Sequence, residues 1–307
     1  MSATREQLDE VTRLVAHKQY ESASDLLADA LESLYVKELT SRAEHGEDAP
    51  VLAPVLHQYG RVLLEHVVRV AGALGGPPET ENTTTGDIND GGEEADTSSK
   101  SLGKRKAEDD EEEDGDDAAA DDDLGLAFVV LDLARVIYER ILGETGSSSA
   151  KKNPSKPELH MITGEVLDET ALRIELADVH NDLGDVGLEN GMLYLTENFE
   201  QASSDYREAL AILEPLLPPF ARRLADAQLR LGLALEFHPD LAHRGDAEGH
   251  VRLARTVLET RADNLRKIQS GDVSDTPEEF ANYSKEKVAD ELKDVNELIG
   301  DLDIKVR

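Results

Sequence analysis

Apolar residues recur at helical spacing along most of this chain, in pairs of segments separated by short polar breaks. Leu8, Val11 and Leu14 form the first burst, and a second runs from Ala23 to Leu31, with the break at residues 17–21. Spacing of three and four residues gathers apolar side chains on one face of an α-helix, which must be buried against a partner. The pattern predicts a helical hairpin, the unit from which α-solenoids are stacked.

The same periodicity predicts helices along the rest of the chain, at residues 55–74, 124–142, 167–190, 199–213, 219–237 and 246–268. Trp is absent and aromatic residues make up only 4% of the chain. The apolar content is mostly Leu, Ala and Val, which suits close-packed helices better than a β-sandwich. We therefore expect an all-α fold with little or no sheet.

Three of these hairpins have small residues where two helices would cross closely, with large apolar residues around them. The sets are Leu14, Tyr20, Ala23, Leu27 and Ala30; then Leu183, Gly184, Phe199, Ala202, Tyr206 and Ala209; then Leu231, Gly232, Leu235, Ala247, Val251 and Ala254. Extra residues stand inside the last two sets, around 191–196 and 238–244. This spacing is typical of tetratricopeptide repeats and predicts a tetratricopeptide-repeat (TPR) α-solenoid of about four helical hairpins.

One long segment breaks the pattern, because apolar residues nearly vanish between residues 75 and 123. Its second half is an acidic run: Glu108, Asp109, Asp110, Glu111, Glu112, Glu113, Asp114, Asp116, Asp117, Asp121, Asp122 and Asp123. So little apolar surface cannot offset the entropy of ordering, and we predict a disordered acidic loop. The helices on either side lack partners without each other, so the loop lies inside the second hairpin.

The resulting division of the chain has six parts. Residues 1–74 hold the first repeat and the first helix of the second, 75–123 the insert, 124–142 the second helix of that repeat, 143–165 a flexible connection, 166–271 the third and fourth repeats, and 272–307 a C-terminal helix. That last helix has a heptad-like stripe of Val288, Leu292, Val295, Ile299 and Leu302. The stripe favours a cap over the exposed end of the stack, and a coiled coil in a homodimer is the alternative.

The formal net charge of -34 makes binding to nucleic acid unfavourable over most of the surface and favours a cationic partner. No Cys is present, which excludes disulfides and thiolate metal sites. No apolar run approaches the ~20 residues that span a bilayer, and no secretory leader is visible, so we expect a soluble intracellular protein without membrane contact.

The repeat spacing also predicts a concave groove on the third and fourth hairpins, lined by Asp178, Asn181, Asp182, Asp185, Leu188, Glu189, Asp226, Leu229, Leu233 and Glu236, with Arg230 and Phe237 beside them. Apolar residues among acids suit an amphipathic helix rich in Arg and Lys. The alternative is that these carboxylates only solvate helix surfaces. A groove that clamps acidic peptides, as in TPR adaptors for heat-shock chaperones, would need Lys, Arg and Asn side chains that bind carboxylates, and only Asn181 and Arg230 are candidates.

The sequence of the charged insert is consistent with two roles. The acidic loop would steer a basic partner over long range, or it is an inert solubilising linker. Lys104, Arg105 and Lys106 form a basic island that resembles a nuclear import signal, although three residues are a short pattern.

Residues for catalysis are not apparent in the sequence. It contains no HExxH, phosphate-binding GxxxxGK[ST], Rossmann glycine motif or GxSxG elbow. The nine His are scattered, and His180 on the groove helix is better explained as a half-buried residue than as a metal ligand. We predict no enzyme activity, no cofactor and no metal.

Residues 176–239 resemble the signature repeats of the nuclear autoantigenic sperm protein family, the SHNi-TPR histone chaperones, and residues 124–142 resemble the helix that follows that family's acidic insert. The order of repeats, insert and C-terminal helix is also similar. The resemblance implies binding of histone H3 and the H3–H4 dimer, mainly through H3, for storage, nuclear import and nucleosome assembly. It further implies a nuclear location with cytoplasmic shuttling and contact with a type B histone acetyltransferase complex. A general TPR adaptor for other basic peptides or chaperone tails is the alternative function.

Overall fold

The structure is a computed structural model that describes residues 2–40, 49–75, 114–143, 157–193, 197–271 and 277–305. These residues form α1 (Ser2–Ala16), α2 (Tyr20–Thr40), α3 (Ala53–Gly75), α4 (Asp114–Leu142), β1 (Leu159–His160), β2 (Val166–Leu167), α5 (Glu169–Leu193), α6 (Glu197–Leu213), α7 (Arg222–Glu236), α8 (Leu241–Ser270) and α9 (Lys285–Lys305), with 3-10 turns at Pro50–Leu52 and Glu278–Phe280. Successive helices pack as the hairpins α1/α2, α3/α4, α5/α6 and α7/α8, and α9 packs on α8. The predicted all-α TPR solenoid is confirmed.

Small residues bring the two helices of each later hairpin together. A Cβ added to Gly184 of α5 would lie 2.5 Å from Cε1 of Tyr206 in α6, and one on Gly60 of α3 would overlap Leu131 of α4. Gly232 of α7 meets Val251 of α8 in the same way. Because α3 and α4 pack across the insert, the second hairpin is closed as the sequence predicts.

Three buried clusters of apolar side chains follow one another along the stack. The first joins α1 to α5, the second joins α5, α6 and α7 and reaches Ala247 of α8, and the third joins α7, α8 and α9. In the third cluster Val288, Val295 and Leu302 of α9 are buried, with Leu292 and Ile299 partly buried against it. The heptad-like stripe of α9 therefore serves as a cap on the last hairpin.

The acidic run differs from the prediction of disorder in one part. Residues 114–123 belong to α4, which begins ten residues before the predicted start at 124. Asp116, Asp117 and three consecutive Ala residues follow the helix start; acidic residues near a helix N-terminus interact favourably with its dipole, and Ala has the best helix propensity. The rest of the insert, including Glu108 to Glu113 and the basic island Lys104, Arg105 and Lys106, lies outside the described residues.

The connection predicted as flexible at 143–165 also contains structure. Leu159 and His160 pair with Leu167 and Val166 in an antiparallel hairpin. Gly164 in its turn has a φ of +92°, a conformation that glycine adopts without strain. Leu159 is buried against the first cluster, which anchors the approach to α5.

The extra residues in the third and fourth repeats mostly lengthen helices. Helix α5 continues to Leu193, and α8 begins at Leu241, five residues before the predicted start at 246. The side chain of Asp240 accepts a hydrogen bond from the amide of Ala242, which caps the new start of α8. No helix in the described ranges is long and apolar enough to cross a bilayer.

Candidate functional site

Five carboxylates follow one side of α5 at intervals of three and four residues: Glu175, Asp178, Asp182, Asp185 and Glu189. We call them the acidic stripe. Helical spacing places them on one face, and their cationic partners belong to α3 and α7, the first helices of the neighbouring hairpins. The stripe therefore lies on the inner surface of the stack, where the first helices of successive hairpins meet.

A buried histidine holds the stripe to α3. Nε2 of His57 lies 2.8 Å from Oδ2 of Asp182, and Nδ1 lies 3.3 Å from Oε2 of Glu175. Burial of the ring lowers the pKa of His57, but hydrogen bonds with the two carboxylates outweigh it and raise that pKa from 6.5 to about 9. At neutral pH the ring is thus an imidazolium that donates from both nitrogens. Arg61 lies 3.5 Å from Asp182 and adds a second cation.

Two arginines connect the stripe to α7. Arg223 donates to Asp178 at 2.8 Å. Arg230 donates to Asp185 of the stripe and, through Nε, to Asp226 of its own helix at 2.8 Å. The hydroxyl of Tyr206 donates to Asp185 at 2.6 Å. The third hairpin is therefore tied to the fourth by charge-assisted hydrogen bonds as well as by apolar packing.

The negative charge of the stripe is only partly offset by these partners. Burial raises the pKa of Asp178 and of Asp185 above its ordinary value even though each faces an arginine. Burial and the nearby Asp185 also raise the pKa of Glu189, which has no salt bridge within the described residues. A further cation brought to this surface would stabilise the charged form of these carboxylates.

The inner surface continues towards α9 as an apolar cavity. A space of about 470 Å³ is bounded by α7, α8 and α9, with Leu229, Leu258 and Leu298 in its walls. Its charged lining residues are of both signs: Arg222, Arg223, Asp226 and Asp301. Lys305 of α9 pairs with Glu236 of α7 at 3.1 Å near the same end. Sequence reasoning missed Glu175, Leu298 and Asp301; the spacing of Glu175 from Asp178 is the one local signal that could have found any of them.

Most of the predicted groove residues do lie together. Asp178, Asp182, Asp185 and Glu189 form the stripe with Glu175, while Asp226, Leu229, Leu233 and Glu236 follow the facing side of α7. Two of the predicted residues lie on the flank of the stripe. Leu188 packs against the second apolar cluster, and Asn181 is buried with its Oδ1 unpaired. Both lie about 100° or more around α5 from Asp182, since each residue turns the helix by about 100°.

The residues considered for other kinds of site lie elsewhere or are already engaged. His180 is buried, and its Nδ1 lies 3.3 Å from Oδ1 of Asp205 on α6, away from the stripe. Arg230 is shared by two carboxylates and Asn181 is buried, so neither presents a free donor for an acidic peptide. Across the described ranges, no group of three or more His, Cys, Asp and Glu side chains could hold a metal ion.

Comparison with known proteins identifies the central part of this site. Residues 177–219 match the SHNi-TPR family model. The chain carries an SHNi-TPR domain. This domain contains the stripe from Asp178 to Glu189 together with Tyr206, and its detection confirms the resemblance drawn from the sequence. SHNi-TPR proteins form a TPR repeat family rather than a known enzyme family.

The chain is also similar to Protein HGV2 from Halocynthia roretzi. The two are 32% identical over 184 residues, which cover 60% of this chain. The chain spans only 29% of the length of that relative. The similarity therefore extends beyond the SHNi-TPR domain within this chain but concerns a minor part of the larger protein.

Proposed function

We propose that this protein is a histone chaperone that holds histone H3 and the H3–H4 dimer, mainly through H3, on the inner surface of its TPR stack. Storage, nuclear import and nucleosome assembly are the processes it would serve, in the nucleus and in transit from the cytoplasm. The observation that carries the proposal is the position of four of the five stripe carboxylates, from Asp178 to Glu189, inside the SHNi-TPR domain. That domain suggests a chaperone of the nuclear autoantigenic sperm protein type.

The chemistry of the inner surface fits a cationic amphipathic helix. Arg and Lys side chains of such a helix would approach carboxylates that burial has made costly to keep charged, notably Asp178, Asp185 and Glu189. Its apolar side would enter the cavity beside Leu229 and Leu298. Both demands of the partner, neutralising its charge and burying its apolar face, are met within one surface.

The partner's cations would compete with arginines of the chain itself. Arg223 and Arg230 already occupy Asp178 and Asp185. Binding therefore replaces ion pairs within the chain by ion pairs with the partner. The affinity then depends on how well the partner's cations fit these positions more than on how many cations the partner carries. This feature favours a shaped basic helix over an unstructured polycation.

The acidic run would increase the rate of encounter. Its last residues form the start of α4, and an excess of like charge attracts a basic partner over about a Debye length, ~8 Å at physiological salt. Contact with a type B histone acetyltransferase complex is a further proposal on the partner side and rests on the family resemblance. A homodimer through the α9 stripe is not proposed, because the stripe packs in the third apolar cluster and two copies with a net charge of -34 repel each other.

Charge reversal at two inner-surface positions tests the proposal. Glu189→Lys with Asp226→Lys should weaken binding of H3–H4 at least about tenfold, because two carboxylates become repelling cations. Asp226 is 54% exposed and paired with Arg230 four residues on, so its replacement leaves the core intact. Affinity is measured by fluorescence titration with labelled H3–H4 at moderate salt.

A matched control separates this effect from overall charge. Glu248→Lys with Asp263→Lys makes the same change in net charge on α8; Glu248 is 53% exposed and pairs with Arg252 in the same spacing. This control should bind within about twofold of the parent protein. Equal losses in the two double variants, or none in either, would remove the inner surface as the histone site.

A further inference from the structure

The outer side of α4 exposes an unusual amount of apolar surface for a helix in the middle of a stack. Leu126, Phe128 and Val129 expose 39%, 44% and 60% of their surface. Gly125 beside them is exposed, and a Cβ added there would meet nothing within 4 Å. We call these four residues the α4 outer face. Grouped apolar exposure of this kind is typical of interaction surfaces.

An acidic cavity adjoins this face. It has a volume of about 370 Å³ and lies between α4, α5 and α6, with the ring of Phe128 in its wall. Its lining has four carboxylates, Asp132, Glu139, Asp205 and Glu208, against one guanidinium, that of Arg135.

The cations near the cavity are already committed. Arg135 bonds to both Asp132 and Glu139 at 2.6 Å, and Asp205 faces His180 and Gln201. Glu208 is exposed and has no partner within the described ranges. The cavity therefore retains an excess of negative charge next to an aromatic ring, which is a favourable environment for an added guanidinium.

This surface is separate from the acidic stripe. His180 lies in the cavity wall, about 160° around α5 from Asp182 at about 100° per residue. One ligand helix therefore cannot fill both surfaces at once.

We propose that the α4 outer face and the acidic cavity form a second docking surface, for a basic amphipathic helix of a partner protein. The apolar side of that helix packs on Val129 and Leu126, and an arginine enters the cavity between Phe128 and the carboxylates. Charge complementarity decides the occupant, because an acidic partner or a second copy of this chain, with its net charge of -34, would be repelled. The proposal does not depend on the function assigned to the inner surface.

The absence of Cys allows a direct test on the full chain. Gly125→Cys receives an environment-sensitive dye, and Gly249→Cys on α8, which is also exposed with open space at its Cβ, is the matched control. The probe is a synthetic helical peptide with Arg and Leu in adjacent stripes, compared with a peptide of equal charge that has Ser for Leu. We expect a saturable response at 125 to the first peptide, little to the second, and none at 249.

Two variants, each made in the chain labelled at Gly125→Cys, decide whether the response comes from this surface. Val129→Ser with Glu208→Gln should lower the affinity for the first peptide at this site by about tenfold. Glu189→Lys with Asp226→Lys should leave the response at 125 unchanged. No response at 125, or full affinity in the Val129→Ser/Glu208→Gln variant, overturns the proposal. Histone binding is measured by titration with H3–H4, and peptide docking by the dye response at 125. Failure of the proposed histone binding and failure of this second docking surface therefore give different results.

Discussion

At the scale of single residues, the fold decides the charge of His57. An isolated histidine is mostly neutral at pH 7, with a pKa near 6.5. Between Glu175 and Asp182 the ring becomes a buried cation with a pKa of about 9. It joins two positions of the acidic stripe to α3 and so fixes the junction between the second and third hairpins.

Replacing this histidine should leave a buried pair of carboxylates without their main cation. His57→Gln is expected to lower the free energy of unfolding by about 3 kcal/mol, since removal of one partner of a buried ion pair leaves an uncompensated charge. Urea unfolding followed by circular dichroism measures the change. His17→Gln in the exposed turn between α1 and α2 is the control and should be neutral within about 0.5 kcal/mol. Similar stability of both variants would contradict the role of His57.

The same residue predicts how stability depends on pH. The pKa of His57 is higher in the folded protein than in the unfolded chain, so its contribution is fully present below pH 6.5 and is lost as pH rises through about 9. The parent protein should therefore lose on the order of 2–3 kcal/mol between those values. In His57→Gln that loss should be absent, and an unchanged slope in the variant would refute the assignment.

At the scale of helices, glycine allows close packing at one position and only lowers helix stability at another. Gly60 of α3 lies against Leu131, whereas Gly125 of α4 faces open space. Both are inside long helices, where glycine costs about 1 kcal/mol relative to alanine. The close approach of α3 to α4 therefore requires glycine at 60 only.

Alanine at these two positions should have opposite effects. Gly125→Ala is expected to raise the free energy of unfolding by about 0.5–1 kcal/mol, and Gly60→Ala to lower it by about 1–3 kcal/mol through overpacking against Leu131. Thermal and urea unfolding of the two variants measure the difference. Stabilisation by both substitutions would show that α3 and α4 do not cross at Gly60.

At the scale of the whole molecule, ionic contacts connect successive hairpins in addition to apolar packing. His57 and Arg61 join α3 to α5, Arg223 and Arg230 join α7 to α5, and Arg222 and Arg261 meet Glu291 of α9. A chain with a net charge of -34 thus places many of its cations between repeats. The end of the acidic insert is also tied to the stack, because Oδ2 of Asp123 lies 3.1 Å from Nδ1 of His66 on α3.

Removing most of the insert should separate encounter from retention of a basic partner. When residues 76–113 are replaced by a Gly/Ser linker of about 16 residues, association with H3–H4 should slow by about tenfold or more at low salt, with a smaller change in dissociation. Stopped-flow fluorescence at two salt concentrations measures both rates. A scrambled insert of the same composition is the control and should retain fast association. Loss of retention instead would place the binding energy in the insert.

The sequence by itself determined the helices, their pairing and the acidic stripe. Apolar periodicity and small residues such as Gly184 and Gly232 are local signals, because each depends on a few neighbouring positions and on the fixed turn of the α-helix. The same periodicity placed four of the five stripe carboxylates. It failed where position around the helix mattered, as at Asn181 and Leu188, because hairpin packing decides which flank of a helix is covered.

Only the tertiary structure decided which charged side chains pair and which residues bound the inner surface. His57 is 118 positions from Glu175 and 125 from Asp182, and Lys305 is 69 from Glu236. Such pairs depend on the angle at which one hairpin stacks on the next, and helical spacing within a segment carries no information about that angle. For the same reason the cavity beside α9 and the exposed side of α4 became visible only in the folded molecule.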